Sequence, residues 1–474
     1  MPRSRAFPLP QPLFDEPVFN EGQPIPDPTR FKVPHPSDAK LYSQLQQLLY
    51  KDVVGFPLSR LPPDGLYSLA DAYGPHGPEV VQTIESAGHI VFHMVGDIGA
   101  STAAKYPGEV RVSDQITAEC QNSPTENRPS FLYILGDVIY DFGEAQYYYD
   151  QFYDPYRNYP GPILAIPGNH DSFIVPGTAA AAEPLVTFQR NFCATEPVVT
   201  PEAGSLHRTA MTQPGVYFAF DAPFVRVLGL FSNALEDPGV ISSENGKWSA
   251  IPDHQLDFLS AQLAQVKSEN YPGALLLATH HPPFNYAPPS EGSGAGGIHG
   301  GSPAMLAQID EVCKAEGVYP HAFLAGHAHN YQRYTRTVDL ASGPYTVPFI
   351  VCGDGGHGVD ALVRAKLGSG AVEPADGADV SYLDSSAAIP VSGLVLDRHD
   401  DRDYGYLRVL ADPTTLTLEF YPVGAGAALA PADTVSVDLA SHSVTSSVSI
   451  VTRSKRQSRR PSRGPVKKGA GRAH

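Results

Sequence analysis

The sequence predicts a globular α/β domain, on three observations. From about residue 89, short apolar runs bounded by Gly or Asp alternate with longer segments of helical periodicity. The apolar runs are continuous rather than alternating, which is typical of strands covered on both faces. Five of these runs end in polar side chains, which predicts a polar site where the strands end.

The predicted elements follow one another in a regular order. The five strand candidates are "HIVFHMVGD", "FLYILGD", "PILAIPGNHD", "GALLLATHHPP" and "HAFLAGHAH". The segments "DHQLDFLSAQLAQVKS" and "SPAMLAQIDEVCKAEG" have the apolar spacing of helices. Three later segments, "YTVPFIVCGDGG", "YGYLRVLAD" and "LTLEFYPV", predict further strands, some of them antiparallel.

Composition divides the 474 residues into three regions. Residues 1–88 are rich in Pro and turns, and we expect an N-terminal extension packed on a main domain at 89–452. Residues 453–474 carry nine Lys and Arg and no acid, which predicts a basic disordered tail. The rest of the chain has 24 Lys and Arg but 50 Asp and Glu, and this excess of negative charge repels nucleic acid. We therefore expect no nucleic-acid partner beyond non-specific contacts of the tail.

The sequence also carries signals about the cellular compartment of the protein. No apolar run approaches the ~20 residues that span a bilayer. The N-terminus shows no apolar core of a secretory signal, so export is not encoded and a cytoplasmic location is the default expectation. The four cysteines are far apart and form no CxxC pair, which favours buried thiols over a zinc ribbon or a disulfide scaffold.

Metal-binding side chains follow all five predicted strands. Singly, each motif is typical of a turn or a helix cap. Together they place eight oxygen and nitrogen ligands at five strand ends, which predicts a dinuclear metal site. These residues are Asp97, Asp137, Asn169, His170, His280, His281, His327 and His329.

The ligand types narrow the choice of metal. Carboxylate, carboxamide and imidazole without thiolate favour Mn, Fe, Zn or Ni. One carboxylate can bridge two ions about 3.5–4 Å apart, a spacing suited to displacement at phosphorus.

The ordered motifs GDIG, GDVIY, GNHD, THHPP and GHAH resemble those of the calcineurin-like metallophosphoesterases, and most of all the purple acid phosphatases. The resemblance covers about residues 91–334 and continues weakly into the later strands. It implies a four-layer αββα sandwich of two mixed β-sheets, with residues 89–452 as the catalytic domain. It also implies hydrolysis of small phosphate monoesters by attack of a metal-bound hydroxide. A phosphodiesterase on the same metal core is the alternative, and a non-catalytic scaffold is a further one.

The resemblance also implies roles for individual ligands. Asp97 and His329 would bind the first metal, and Asp137 would bridge both. The second metal would take Asn169, His280 and His327. His280 is preferred to His281 because the family pattern is His-x-Pro.

Four further residues are candidates for catalysis or substrate binding. His170 is expected to bind a phosphoryl oxygen or to protonate the leaving alkoxide. Asp171 is expected to orient the His170 ring. His281 and His299 are candidate substrate contacts, the second within a Gly/Ser-rich run that predicts a specificity loop.

Gly99 departs from the pattern of the wider superfamily, which has a His at this place. Tyr140, three residues after Asp137, could supply the missing bond. In the purple acid phosphatases the Tyr at this place is a phenolate ligand of Fe(III). Gly99 and Tyr140 therefore predict Fe(III) paired with a divalent ion, which would be Fe, Zn or Mn.

Overall fold

In the computed structural model, two mixed β-sheets form the centre of the protein. The structure describes residues 57–447 apart from 141, 173–184, 205, 234–236, 250, 290–298, 342, 368–369, 373, 387 and 425–429. The predicted basic tail, the predicted extension up to residue 56 and residues 290–298 of the predicted specificity loop lie outside the described residues.

The first sheet has nine strands in the order β1-β5-β6-β7-β8-β10-β9-β14-β13. Their bounds are β1 Leu66–Ser68, β5 Phe218–Ala222, β6 Val225–Gly229, β7 Ala274–Thr279, β8 Ala322–Ala325, β9 Tyr331–Leu340, β10 Gly343–Cys352, β13 Ala378–Asp379 and β14 Val391–Asp400. Strands β6, β7, β8 and β10 are parallel neighbours, so their carboxyl ends meet at one edge.

The second sheet has seven strands in the order β18-β17-β16-β15-β2-β3-β4. Their bounds are β2 Ile90–Val95, β3 Leu132–Ile134, β4 Ile163–Ala165, β15 Tyr404–Ala411, β16 Thr415–Val423, β17 Asp433–Asp438 and β18 Ser443–Ser447. Strands β2, β3 and β4 are parallel. A separate hairpin joins β11 Ala365–Leu367 to β12 Gly370–Val372.

Helices complete the architecture. The described α-helices are α1 Leu69–Tyr73, α2 Gly77–Ala87, α3 Tyr106–Asn122, α4 Asn169–Ser172, α5 Val186–Phe192, α6 His254–Glu269 and α7 Pro303–Glu316. Helix α3 packs on β15 and β16, and α6 packs on α7. Both α6 and α7 end at residues in the left-handed conformation, Asn270 and Gly317, which satisfy the last carbonyl groups. No described helix is long and apolar enough to cross a membrane.

Burial explains the strand patterns. Every residue of β2, β7 and β8 is buried, as the continuous apolar runs predict for strands covered on both faces. Strand β16 instead alternates buried and half-buried residues and so buries one face. The α/β class and the two-sheet sandwich predicted above are confirmed.

The structure also bears on the predicted N-terminal extension and on the predicted state of the cysteines. Leu66–Ser68 lies within the predicted extension and pairs with β5, so this segment contributes an edge strand to the nine-stranded sheet. The domain boundary at residue 88 stays a prediction. All four cysteines are buried and free.

Candidate metal centre

The site forms where the two sheets approach each other at their strand ends. Gly96, after β2, donates its amide to the carbonyl of Cys352 at the end of β10 at 2.9 Å. A Cβ atom on Gly96 would lie 3.0 Å from the Cα of Gly326, which follows β8. The two glycines therefore allow the backbones of the two sheets to come close enough for ligands from both to meet.

Three predicted ligands occupy the left-handed backbone region. The φ angles of Asp97, Asp137 and His327 are 57°, 53° and 70°. Residues with a side chain rarely adopt this conformation, and such strain concentrates at functional sites. Here it turns each side chain out of its strand end and into the space between the sheets.

One half of the site combines Asp137, Asn169, His280 and His327. The Nε2 atom of His280 lies 2.9 Å from Asn169 Oδ1 and 3.3 Å from Asp137 Oδ2. His327 Nδ1 lies 3.1 Å from the same Asn169 oxygen. The Nδ1–H of His280 donates to the carbonyl of Leu135 at 2.9 Å, which leaves Nε2 to face the site.

The other half combines Asp97, Tyr140 and His329. The Tyr140 hydroxyl donates to Asp97 Oδ1 at 3.0 Å and lies 3.3 Å from His329 Nε2. His329 Nε2 is 3.5 Å from Asp97 Oδ1, and its Nδ1 is 3.1 Å from Asp360 Oδ2. A carboxylate on the outer nitrogen is the usual way to orient a metal-binding histidine.

The donor set fits a pair of metal ions. Ligand atoms of Asp97, Asp137 and His280 all lie within 4.8 Å of one another, and all three side chains are buried. Buried His327 Nε2 has no hydrogen-bond partner among the described residues, and it lies 3.7 Å from Asp237 Oδ1. Two buried carboxylates and an orphaned imidazole nitrogen are costly unless a cation binds them.

The pKa values of the site residues follow from the same contacts. Burial opposes protonation of His280, yet the neighbouring Asp137 carboxylate raises the His280 pKa to about 9. Burial likewise works against ionisation of Asp137, and the His280 and His170 rings nevertheless lower the Asp137 pKa. A proton on His280 thus offsets the Asp137 charge, and a bound cation would have to displace that proton.

Gly99 is explained by the position of Tyr140. A Cβ on Gly99 would lie 2.4 Å from the Val138 carbonyl oxygen, 2.6 Å from Gln151 Oε1 and 3.2 Å from the Tyr140 ring. The side chain of Gln151 in turn holds the Tyr140 backbone. Its Oε1 accepts from the Tyr140 amide and its Nε2 donates to the Tyr140 carbonyl, both at 2.8 Å. A side chain at position 99 would therefore force the Val138 carbonyl and Gln151, which holds the Tyr140 backbone, to move.

His170 and Asp171 follow Asn169 in α4. His170 Nε2 lies 4.0 Å from Asp137 Oδ2, and the His170 ring lies 4.3 Å from the Tyr140 ring. Asp171 accepts hydrogen bonds from the amides of Gly168, Val138 and Ile139. Burial, and next the charge of Asp137, raise the pKa of Asp171 to about 7. Asp171 thus organises the Asp137 loop, and the role predicted for it in orienting His170 stays a prediction.

His299 and His281 both lie beside the centre. The His299 ring is 4.7 Å from the His327 ring and 4.8 Å from the His329 ring. Burial, followed by the nearby His329, lowers the pKa of His299 to about 3. His281 is buried, with Nδ1 2.8 Å from Ser232 Oγ and its ring 4.3 Å from that of His327. Their predicted contacts with substrate stay predictions.

Two contributors to the site were missed by sequence reasoning. Asp360, which contacts His329, follows a glycine-rich strand exit and belongs to no motif. Gln151, which holds the Tyr140 backbone, lies in a tyrosine-rich segment that gives no local signal. Gln151 lies eleven residues after Tyr140, and this separation matches no helix or strand period that would have predicted the contact.

Comparison with known proteins agrees with this geometry. Residues 90–331, just over half of the chain, match the family model of the calcineurin-like phosphoesterases. The chain belongs to this family, whose members depend on two metal ions and hydrolyse phosphoric esters. The resemblance predicted from the five motifs is confirmed at this level. No curated protein matches the chain in sequence.

Two solved structures resemble the chain at low identity. "Structure of PhoD" is 14% identical, covers 77% of this chain and 73% of its own, and has a TM-score of 0.45. "GAP50 the anchor in the inner membrane complex of Plasmodium" is 12% identical, covers 72% of this chain and 86% of its own, and has a TM-score of 0.42. At these scores neither likeness bears on the substrate.

Proposed function

We propose that this protein is a dinuclear-metal phosphoesterase that hydrolyses small phosphate monoesters, similar to the purple acid phosphatases. The observation that carries the proposal is the convergence of Asp97, Asp137 and His280 within 4.8 Å, with Asn169, His327 and His329 around them. When bound, two ions would neutralise the phosphate charge and lower the pKa of a water towards neutrality.

The proposed ligands fall into two groups that share Asp137. Asp97, Tyr140 and His329 would hold the first ion, and their mutual distances of 3.0–3.5 Å support this grouping. Asn169, His280 and His327 would hold the second ion, and the contacts of both imidazoles with Asn169 Oδ1 support it. The 3.3 Å contact of Asp137 with His280 is consistent with a bridging carboxylate.

His170 is proposed as the acid that protonates the leaving alkoxide or as a donor to a phosphoryl oxygen. Its side chain lies beside Asp137 and Tyr140, with Nε2 4.0 Å from Asp137 Oδ2. An imidazole near the metal pair but outside the ligand groups can carry a proton to a leaving group at near-neutral pH.

The first ion is proposed to be Fe(III), with Fe, Zn or Mn as the divalent partner. The support is the steric pairing of Gly99 with Tyr140, together with the position of the Tyr140 hydroxyl between Asp97 and His329. A phenolate favours a trivalent over a divalent ion because of its negative charge.

The visible spectrum of the purified protein tests the iron assignment. Phenolate coordination to Fe(III) gives a visible charge-transfer band, which Tyr140→Phe should abolish. Tyr148→Phe is the matched control, because Tyr148 is also fully buried and its hydroxyl has no hydrogen-bond partner among the described residues. A band that survives Tyr140→Phe unchanged would refute ligation by Tyr140.

Activity after metal reconstitution tests the reaction. We expect faster hydrolysis of para-nitrophenyl phosphate than of its bis-para-nitrophenyl ester. The reverse preference would favour the phosphodiesterase alternative on the same centre. Hydrolysis of neither ester by metal-loaded protein would favour the non-catalytic scaffold.

A further inference from the structure

A lysine and a histidine outside the proposed ligand set adjoin the first-ion side of the centre. Lys105 immediately precedes α3, and its Nζ contacts Nε2 of His357, which lies between β10 and β11. His357 Nδ1 is 3.0 Å from the carbonyl oxygen of Gly99. Because a carbonyl only accepts, Nδ1 carries the ring proton and Nε2 offers its lone pair to the Lys105 ammonium. The imidazole therefore holds the ammonium in a defined direction.

His357 connects this ammonium to the centre through ring stacking. The His357 ring is stacked on the Tyr140 ring, with centroids 3.5 Å apart and planes 24° apart. The His329 ring is 5.0 Å from His357, and the His170 ring is 6.4 Å away. His357 thus links the Lys105 ammonium to the side of the centre that holds Tyr140 and His329.

We propose that Lys105, positioned by His357, is an anion-binding group that selects dianionic phosphate monoesters over monoanionic diesters. The inference rests on the proposed function, since it assigns the substrate preference of the same centre. An ammonium has three N–H donors, and an oxygen of a phosphate bound at the centre can accept one of them.

The difference in charge between the two classes of ester explains why an ammonium group would favour monoesters over diesters. A phosphate monoester has a second pKa near 6, so at pH 7 or above it carries close to two charges, whereas a diester carries one. The attraction of a partly buried cation grows with each added charge on the ligand. The second ester group of a diester is neutral and offers the ammonium no ionic partner. We therefore expect Lys105 to contribute on the order of tenfold to the preference for monoesters.

Lys105→Met tests the proposal, because it keeps the length of the side chain and removes the charge. The assay is kcat/KM of metal-loaded enzyme for para-nitrophenyl phosphate and for its bis-para-nitrophenyl ester. The ratio of the two values should fall about tenfold, mainly through the monoester. Lys247→Met is the control, because Lys247 is exposed and pairs with Glu244 on the surface. It should leave the ratio unchanged.

Three further measurements separate substrate binding from structural support. Lys105→Arg should restore part of the ratio. His357→Phe keeps a ring against Tyr140 but removes the acceptor nitrogen, so the ratio should fall while the visible spectrum stays close to that of the wild type. Added salt should reduce the ratio in the wild type more than in Lys105→Met.

The outcomes are distinct. An unchanged ratio in Lys105→Met, or a fall accompanied by loss of metal, would overturn the inference while leaving the proposed function in place. A wild-type enzyme that hydrolyses neither ester would instead refute the proposed function, on which the inference rests.

Discussion

The pairing of Gly99 with Tyr140 predicts that even one methyl group at position 99 damages the centre. In Gly99→Ala the new Cβ would lie 2.4 Å from the Val138 carbonyl oxygen. An ordinary contact needs about 3.4 Å, so the carbonyl must move by about 1 Å. The shift cannot be confined to Val138, because Asp171 binds the amides of Val138 and Ile139 and Gln151 binds the Tyr140 backbone.

Two effects of this shift can be sized. Overpacking against backbone costs about 1–3 kcal/mol. At about 1–2 °C per kcal/mol for a domain of this size, the melting temperature should fall by a few degrees. A displacement of about 1 Å in the loop that carries Asp137 and Tyr140 should lower kcat by about a hundredfold.

The assays are thermal unfolding, metal content and para-nitrophenyl phosphate turnover. Gly358→Ala is the matched control, because Gly358 adjoins His357 while a Cβ there would have no atom within 4 Å. This variant should stay within about 0.5 kcal/mol of the wild type. Gly99→Ala with wild-type melting temperature and turnover would refute the steric account of the Gly99–Tyr140 pair.

Three further predictions concern the division of roles, protons and ligand orientation. His170→Ala should lower turnover with metal content nearly intact, whereas Asp137→Ala should lose both, and equal metal loss by elemental analysis would refute the division of roles. Burial opposes protonation of His329, yet Asp360 and Asp97 raise its pKa to about 10, and the His280 pKa is raised to about 9. At pH 7 the ions must therefore displace about two imidazole protons, and ligation by Tyr140 would release a third from its hydroxyl. Calorimetry in buffers of different ionisation enthalpy should show this proton release and an affinity that rises with pH towards 9. Because both pKa values are raised, the stability that these two protonated histidines give the protein without metal is complete below pH 6.5 and is lost as pH rises through 9 and 10. A metal affinity that does not change with pH would contradict the raised pKa values of His280 and His329. Asp360→Asn should weaken metal binding about 10–100-fold because His329 loses its orienting carboxylate, whereas Asp376→Asn, which disturbs the exposed Asp376–His399 pair, should leave metal affinity unchanged.

The sequence predicted those parts of the structure that local patterns encode. Continuous apolar runs identified β2, β7 and β8 because strands covered on both faces need apolar side chains at nearly every position. Helical spacing identified α6 and α7, which the structure begins and ends within one residue of the quoted segments. The ligand motifs could be predicted from the sequence because the first ligand of each lies within four residues of the end of its strand.

Features that depend on distant partners could not be read in this way. Leu66–Ser68 is only three residues long, and its pairing with β5 depends on chain more than 150 residues away. Asp360 lies 31 residues from His329, and Lys105 lies 252 residues from His357, so no local periodicity connects either pair. The left-handed backbone of Asp97, Asp137 and His327 is equally hidden, because side-chain type alone does not signal it.

Charge balance connects the proposed metal pair with the proposed substrate. Asp97 and Asp137 supply two negative charges, and a Tyr140 phenolate would supply a third. Two divalent ions on this set would leave one positive charge, whereas Fe(III) with a divalent ion would leave two. A Tyr140 phenolate would therefore cost one positive charge relative to a neutral imidazole at the same place, and a trivalent ion would restore the attraction for a dianionic monoester. Gly99, Tyr140, iron and the monoester are therefore one linked proposal, and Lys105 would add one more positive charge on the side where a phenolate would remove one.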